Sequence, residues 1–364
     1  MPDLENLADI FSNSLKNLIT NPSRCNRVRS PLSRCSRCIE VCPTKDISFN
    51  QDTLQIGRCL ECAICTTACP TGALVFKSMS PMQLIKKVKS LINTYNKAII
   101  KCGSTKLEKK QDSCMEVPCL GSIGWETWTT LLLANDKIEI YLPEEACSQC
   151  AITTGANLFK KQLKKAENLT DSPVKIVTGL DKYASKKAKG QNLERRQFLA
   201  SLVSSVAKFP EETFKNALGK KSQEEKEEPF DTWHPAERYR LIFDLAETHP
   251  HIAQKITTSL PILKGNCYFC KACSTLCPHN ALSIIKNSEE RTLELESTNC
   301  TGCGLCTEVC FHKALELKQF PADVLQKESE VLAKGSEQVC STCGETYLST
   351  KNVIYCPLCQ NNDN

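Results

Sequence analysis

Long apolar runs are missing from this chain of 364 residues. No stretch reaches the roughly 18 consecutive apolar residues that a transmembrane helix needs. The N-terminus, MPDLENLADIF, is acidic and lacks a positively charged region before an apolar stretch. We therefore expect no integral membrane segment and no cleaved export signal, and we predict a cytoplasmic protein.

Motifs for nucleotides and for nucleophilic catalysis are also missing. The sequence has no Gly-rich nucleotide loop and no G-x-S-x-G, and its five His are scattered. The net charge of +5 counts every Cys as neutral, whereas thiolate ligation would make the metal-loaded protein acidic. These absences argue against an organic cofactor and against nucleic acid as a partner.

Cysteine, by contrast, is abundant, with 25 residues. The Cys fall into tight groups and leave residues 151–266 with none. Disulfide frameworks of small secreted domains rarely show such a gap, so metal ligation is the better interpretation.

Composition and pattern predict an α+β multidomain protein. An N-terminal amphipathic helix is indicated by the apolar spacing of Leu4, Leu7, Phe11, Leu15, Leu18 and Ile19. Alternating helices and strands over 81–180 indicate a small α/β domain with a mostly parallel sheet. The predicted segments are the helix at 1–24, two Cys-rich units at 25–80 and 263–318, the α/β domain at 81–182, a helical bridge and linker at 183–262, and a ribbon at 319–364.

Three Cys runs follow the spacing C-x2-C-x2-C-x3-C, in which three thiolates wrap one cubane and the fourth ligates the other cluster. These runs are Cys59, Cys62, Cys65, Cys69; Cys267, Cys270, Cys273, Cys277; and Cys300, Cys303, Cys306, Cys310. Phe311 replaces the Pro that follows the other runs, which should affect a turn and not a ligand.

The fourth run is irregular. Cys35, Cys38 and Cys42 match the last three ligands, but Leu32 occupies the place of the first. Cys25, upstream by an extra loop, is the obvious substitute. If Cys25 does not serve, the site keeps three Cys and would hold a 3Fe–4S cluster or lack one ligand.

Both Cys-rich units resemble the bacterial dicluster ferredoxin family, over about a third of the chain. The resemblance includes the hairpins ISFNQDTLQIG and ALSIIKNSEERTLELES between paired runs. It implies four 4Fe–4S clusters and the transfer of single electrons. With Cys25 as a ligand, the sets are Cys25, Cys35, Cys38, Cys69; Cys42, Cys59, Cys62, Cys65; Cys267, Cys270, Cys273, Cys310; and Cys277, Cys300, Cys303, Cys306.

Five further Cys lie between these units, and most follow a predicted strand. They are Cys102, Cys114, Cys119, Cys147 and Cys150. The carboxyl ends of parallel strands meet at one edge of a sheet, where sites are built. The segments KCG, VPCLGSIG and ACSQC resemble the iron–sulfur delta subunit of methyl-viologen-reducing hydrogenases, a partner of heterodisulfide reductase, although the first Cys pair of that family is not clearly matched.

This second resemblance covers roughly residues 95–160 and implies a 2Fe–2S cluster. The best four ligands are Cys102, Cys119, Cys147 and Cys150, with Cys114 as an alternate. The competing interpretation is that these Cys are buried small residues or form a reducible disulfide. We expect the cluster to connect the two ferredoxin units.

Two Cys pairs close the chain, Cys340 with Cys343 and Cys356 with Cys359. A hairpin around YLSTKNVIY would bring both pairs together as a tetrahedral zinc site. A mononuclear iron site also uses two Cys pairs, but the separation here is short for it. The prediction is therefore a structural zinc ribbon.

Two other features remain from the sequence. Arg195 and Arg196 begin a segment that looks like a twin-arginine export motif, but it lies far from the N-terminus and fits an ordinary helix. His279 and His312 follow cluster ligands, and we expect both at solvated turns.

These features describe an electron conduit better than an enzyme. We predict an iron–sulfur subunit or carrier that passes electrons to or from an oxidoreductase, with ferredoxin, hydrogenase or another oxidoreductase subunit as partners. One alternative is a redox-sensing or assembly factor that binds a client through the ribbon and the Arg195–Arg196 helix. Another is a disulfide-type reductase centred on the middle Cys.

Overall fold

The computed structural model describes residues 17–50, 53–77, 79–105, 111–134, 136–143, 145–179, 237–287, 290–325 and 328–360. The predicted helix as far as residue 16 lies outside these residues. So do the Arg195–Arg196 segment and the rest of the predicted bridge and linker before residue 237. Where that predicted helix enters the described part, it is wrong, because Leu18 and Ile19 lie in a strand. This strand pairs with the strand Leu74–Phe76. The pairing gives hydrogen-bond partners to backbone N–H and C=O groups that would otherwise lack them.

The first Cys-rich unit, residues 17–77, is called the N-terminal unit. Its elements are β1 (Leu18–Thr20), α1 (Asn26–Arg29), α2 (Arg37–Val41), β2 (Ile47–Asn50), β3 (Thr53–Ile56), α3 (Ile64–Ala68) and β4 (Leu74–Phe76). β1 pairs antiparallel with β4, and β2 pairs antiparallel with β3 as the predicted hairpin. The Cys-bearing helices α2 and α3 contact each other, and α2 also contacts β2 while α3 contacts β4.

The central domain, residues 79–179, is a four-stranded sheet with helices. Its elements are α4 (Pro81–Tyr95), β5 (Ala98–Cys102), β6 (Cys114–Val117), α5 (Trp125–Ala134), β7 (Ile138–Tyr141), α6 (Gly155–Thr170) and β8 (Lys175–Val177). The strand order is β6-β5-β7-β8, and every pair is parallel, as the alternating pattern predicts.

Local sequence sets the ends of α4, and burial sets its face. Ser80 and Gln83 form a capping box at the N-terminus, and Asn96 adopts a left-handed backbone at the C-terminus. The apolar stripe of α4 packs on one face of the sheet, where Val88, Ile100 and Trp128 are fully buried.

Two helices join the central domain to the last part of the chain, α7 (Glu237–Thr248) and α8 (Pro250–Ala253). Leu241 of α7 enters the core of the central domain, whereas Leu245 packs with Ile252 and Trp125 in a second cluster. These helices fall within the range predicted as a helical bridge.

The second Cys-rich unit, residues 257–321, is called the C-terminal unit. It repeats the plan of the first with β9 (Thr257–Leu263), α9 (Ala272–Leu276), β10 (Leu282–Lys286), β11 (Glu290–Leu295), α10 (Leu305–Glu308) and β12 (Leu315–Pro321). β9 pairs with β12 and β10 pairs with β11, both antiparallel. The internal repeat seen in the sequence is thus a repeat of structure.

The ribbon, residues 330–360, contains β13 (Glu330–Val339), β14 (Thr346–Ser349) and α11 (Pro357–Gln360). β14 pairs with β13 and not within YLSTKNVIY, so the predicted hairpin is wrong. β13 also pairs with β11, which makes one sheet in the order β10-β11-β13-β14. The long strand covers the exposed edge of the ferredoxin-like hairpin, and strand pairing therefore crosses the predicted border at 318/319.

Across all the described ranges, every helix is too short or too polar to cross a membrane.

Candidate iron–sulfur and metal sites

The Cys runs share a backbone conformation that brings closely spaced sulfurs together. In three runs, the residue before the second Cys and the residue after it have positive φ: Glu61 and Ala63, Phe269 and Lys271, Gly302 and Gly304. At Gly302 the reason is also steric, because a Cβ would lie 2.8 Å from the carbonyl oxygen of Ser259. The run from Cys35 lacks this pair, and Ser36 has a φ of −126°. The run in which Leu32 replaces the first Cys therefore lacks the backbone conformation that the three complete runs share.

A second shared turn follows the last Cys of every run. The third residue after that Cys has positive φ in all four runs, at Lys45, Gly72, Asn280 and Lys313. The turn after Cys310 is the same although Phe311 stands where the other runs have Pro. The expected effect of Phe311 on this turn is therefore not observed, and its ring is instead exposed at the surface.

Three cavities are each lined by four Cys drawn from two different runs. Site 1 is formed by Cys42, Cys59, Cys62 and Cys65. Site 3 is formed by Cys277, Cys300, Cys303 and Cys306, and site 4 by Cys267, Cys270, Cys273 and Cys310. These are three of the four sets predicted from the spacing.

Site 2 is defined by Cys25, Cys35, Cys38 and Cys69, whose thiols interact electrostatically. Burial, together with the nearby thiols of Cys69, Cys35 and Cys25, raises the pKa of Cys38 to about 12. Leu32 is 60% exposed. The extra loop therefore returns Cys25 to the place that the sequence leaves empty at Leu32.

The chemistry of these sets suits iron–sulfur clusters. Burial raises the pKa of Cys273 and of Cys300 to about 12, so a bare thiol here stays protonated at neutral pH. A bound metal supplies the positive charge that would stabilise the thiolates. Backbone N–H groups of Ala281 and Ala314 already donate to the sulfurs of Cys277 and Cys310, at 3.3 and 3.2 Å.

The two units contact each other directly, with site 2 facing site 3. The guanidinium of Arg29 donates to the carbonyl oxygens of Leu276 and Thr275, both at 2.7 Å. His279 is buried at this contact, so the expectation of a solvated turn is wrong. Burial and the nearby Arg24 and Arg29 lower the pKa of His279 to about 4, which keeps the ring neutral.

The middle site comprises Cys102, Cys119, Cys147 and Cys150, at the carboxyl edge of the parallel sheet. Burial raises the pKa of Cys119 to about 12, and the thiols of Cys102, Cys62 and Cys150 add to the shift. Cys147 likewise interacts with Cys102 and Cys150. Cys114, the alternate, packs instead with Ile99, Tyr141 and Val177 on the sheet. The structure thus brings the four preferred Cys together and keeps Cys114 apart.

Two glycines allow the close approach at the middle site. A Cβ on Gly155 would lie 2.7 Å from the sulfur of Cys119, and a Cβ on Gly121 would lie 2.6 Å from the carbonyl oxygen of Gly155. N–H groups of Gly121 and Ile152 donate to the sulfurs of Cys119 and Cys150, both at 3.4 Å. The same amide-to-sulfur bonds occur at the Cys of sites 3 and 4.

The position of the middle site differs from the prediction. It does not connect the two units, because these touch each other without it. It lies beside site 1, since Thr154 donates to the carbonyl oxygen of Val41 at 2.9 Å and Thr67 donates to that of Ser122. The electrostatic interaction between Cys119 and Cys62 reports the same proximity.

The ribbon site is formed by Cys340, Cys343, Cys356 and Cys359, whose sulfurs all lie within 4.8 Å of one another. Hydrogen bonds from the backbone N–H groups of Cys356 and Cys343 hold the pKa of Cys340 at about 6. Four sulfurs at this spacing match tetrahedral coordination of one metal ion.

The ribbon is joined to site 4 through the residues around Cys267. Cys267 and Thr350 exchange two hydrogen bonds, at 3.0 and 3.1 Å. The ring of Tyr268 packs against His312 at a tilt of 55°, with ring centroids 4.5 Å apart, and its hydroxyl donates to Gln360. His312 lies in a turn, as expected, and is half-buried beside this aromatic ring.

Comparison with known proteins supports one of these units by sequence. Residues 266–314 match the family model described as 4Fe–4S dicluster domain. This part of the chain is thus a 4Fe–4S ferredoxin-type domain, which supports an iron–sulfur electron-transfer role. No curated protein and no solved structure matches the chain.

Proposed function

We propose that the protein is an iron–sulfur electron-transfer subunit or carrier with four 4Fe–4S clusters, in sites 1 to 4. The observation that carries this proposal is the set of cavities at sites 1, 3 and 4, each lined by four Cys from two interlocked runs. That interlocking is the arrangement of two cubanes in one ferredoxin-type unit.

The contacts between sites support a linear order. The middle site adjoins site 1 through Cys119 and Cys62, and sites 1 and 2 share the interaction of Cys65 with Cys38. Site 2 faces site 3, and sites 3 and 4 are linked by the interaction of Cys306 with Cys273. Electrons would pass along the row: middle site, site 1, site 2, site 3, site 4.

The proposal assigns a 2Fe–2S cluster to the middle site and zinc to the ribbon site. Four thiols at one sheet edge can hold two irons, and the four sulfurs of the ribbon match a structural zinc. Cys59 at site 1 and Cys270 at site 4 are exposed ligands, where a partner can approach a cluster. Redox proteins of the cytoplasm are the partners that fit: a ferredoxin, a hydrogenase or another oxidoreductase subunit.

Anaerobic purification followed by iron, sulfide and zinc analysis and Mössbauer spectroscopy tests the assignment. We expect about sixteen irons in cubanes, about two more in a binuclear centre, and about one zinc per chain. Protein that saturates near eight irons would remove one whole unit from the proposal. A middle site that takes up one zinc would remove the binuclear centre.

A further inference from the structure

The loop that carries Cys25 does more than replace a missing ligand. Nine residues separate Cys25 from Cys35, whereas two separate Cys267 from Cys270 in the C-terminal unit. The added residues fold into α1 and its flanking turns, and Asn26, Ser30 and Ser33 are buried although all three are polar. Ser30 and Ser33 accept hydrogen bonds from the backbone N–H groups of Leu32 and Cys35 inside the loop, whereas Asn26 bonds outside it.

The loop docks on the C-terminal unit, at the ligands of site 3. Asn26, next to Cys25, donates from Nδ2 to the carbonyl oxygen of Cys303 at 3.4 Å. Arg29 donates from Nε and Nη2 to Leu276 and Thr275, the two residues before Cys277, while Nη1 donates to Ser23 of its own loop at 2.8 Å. Each contact begins or ends within four residues of a site 2 or site 3 Cys.

A second connection runs beside the first. Thr71 lies two residues after Cys69 of site 2, and its backbone interacts with the buried ring of His279. His279 in turn lies two residues after Cys277 of site 3. The backbone of Thr71 and the ring of His279 thus lie close together where the same two sites face each other.

We propose that the Cys25 loop is the crossing through which electrons pass between the two units, and that Arg29 is the residue that positions it. This inference rests on the proposed function. Site 2 receives its first ligand, Cys25, from the same loop that docks on site 3 through Asn26 and Arg29. The departure at Leu32 from the regular run is then the feature that makes two ferredoxin-type units into one conduit.

Arg29→Ala removes the bonds to Leu276 and Thr275 but no ligand. Arg29→Lys keeps the charge but cannot reproduce the two-pronged geometry. Arg34→Ala is the matched control, because the Arg34 contact with Glu308 comes from its backbone N–H, at 3.4 Å. All three are purified anaerobically as the full chain, and iron is counted before any spectrum is recorded.

The readout is EPR of the dithionite-reduced chain, in which neighbouring reduced clusters broaden each other's signals. Coupling within each unit is common to all variants, so the difference from wild type isolates coupling between sites 2 and 3. We expect wild-type iron in all variants, loss of this coupling in Arg29→Ala, reduced coupling in Arg29→Lys, and no change in Arg34→Ala.

Unchanged coupling in Arg29→Ala at full iron would overturn the inference. Loss of iron from both Arg29 variants would also overturn it, because Arg29 would then support the cluster and not the crossing. If wild-type protein binds no cubanes, the proposed function fails, and iron analysis shows this before the coupling is measured.

Discussion

Arg238 joins three parts of the chain, and its removal should leave a buried charge. Its Nε pairs with the carboxylate of Glu126, whose side chain is 0% exposed, and Nη2 lies 3.4 Å from the same carboxylate. Its Nη1 donates to the carbonyl oxygen of Thr67, between two Cys of the N-terminal unit. Arg238→Met keeps much of the apolar bulk and removes every one of these donors.

The expected loss of stability follows from what the buried carboxylate can do. Taking up a proton at pH 7 costs about 3.7 kcal/mol for a carboxyl whose pKa in water is about 4.3. The buried carboxylate cannot cost more than this, because it can take up a proton instead of remaining charged. The unpaired carbonyl oxygen of Thr67 adds about 1 kcal/mol to the loss of stability. Lys165 lies near the carboxylate and offsets part of the loss. We expect Arg238→Met to lower the free energy of unfolding by about 3 to 4 kcal/mol, within the range for broken buried pairs.

The loss should depend on pH. In the variant, the folded state favours the protonated carboxyl more than the unfolded state does. Stability relative to wild type is therefore best below a pH of about 4, and it falls as pH rises. Between pH 7 and pH 5 the cost of protonation drops to about 1 kcal/mol, so the destabilisation should shrink by more than half.

Urea unfolding of the anaerobic, cluster-loaded chain measures this, with tryptophan fluorescence as the signal. Trp125 and Trp128 flank Glu126 on α5, so two of the three Trp report on the region directly. The difference in free energy is taken from the shift in midpoint with a common slope. A loss below about 1 kcal/mol at pH 7, or one that does not change with pH, would refute the reasoning.

Two controls separate the buried charge from other effects. The double variant Arg238→Met with Glu126→Gln has no charge to bury and should recover most of the lost stability. Lys255→Met breaks an exposed pair with Asp171, at 3.2 Å, whose side chains are 47% and 81% exposed. That variant should cost less than about 1 kcal/mol at either pH.

Three further predictions concern the sites. Cys25→Ser should lose the EPR signal of one N-terminal cubane and up to four irons, whereas Leu32→Ser, at an exposed position, should lose none; equal iron in both would show that Cys25 is not a ligand. Cys119→Ala should abolish or strongly alter the signal of the binuclear centre, and Cys114→Ala should leave it unchanged; the reverse pattern would mean that the alternate Cys is the ligand. Cys340→Ser should release zinc while the cubane iron stays bound, and release of iron instead of zinc would identify the ribbon metal as iron.

The sequence by itself determined the features that depend on short separations along the chain. Two-residue gaps between Cys, with left-handed residues beside the second Cys, bring sulfurs together locally, so three four-Cys sets could be predicted from spacing. The alternation of helices and strands likewise predicted the parallel sheet. Because parallel strands end at one edge, it also predicted the meeting of Cys102 and Cys119.

The tertiary structure decided what rests on contacts between distant residues. Arg29 and Leu276 are 247 positions apart, and no periodic pattern in the sequence predicts their contact. The same holds for β13, which pairs with the hairpin of the C-terminal unit. It also holds for Leu18 and Ile19, which have helical spacing in the sequence but form a strand that pairs with β4. The spacing of apolar residues along the chain predicts which face of a helix or strand is apolar. Which partner covers that face, or completes that edge, depends on the shape and hydrogen bonding of a surface that exists only once the chain has folded.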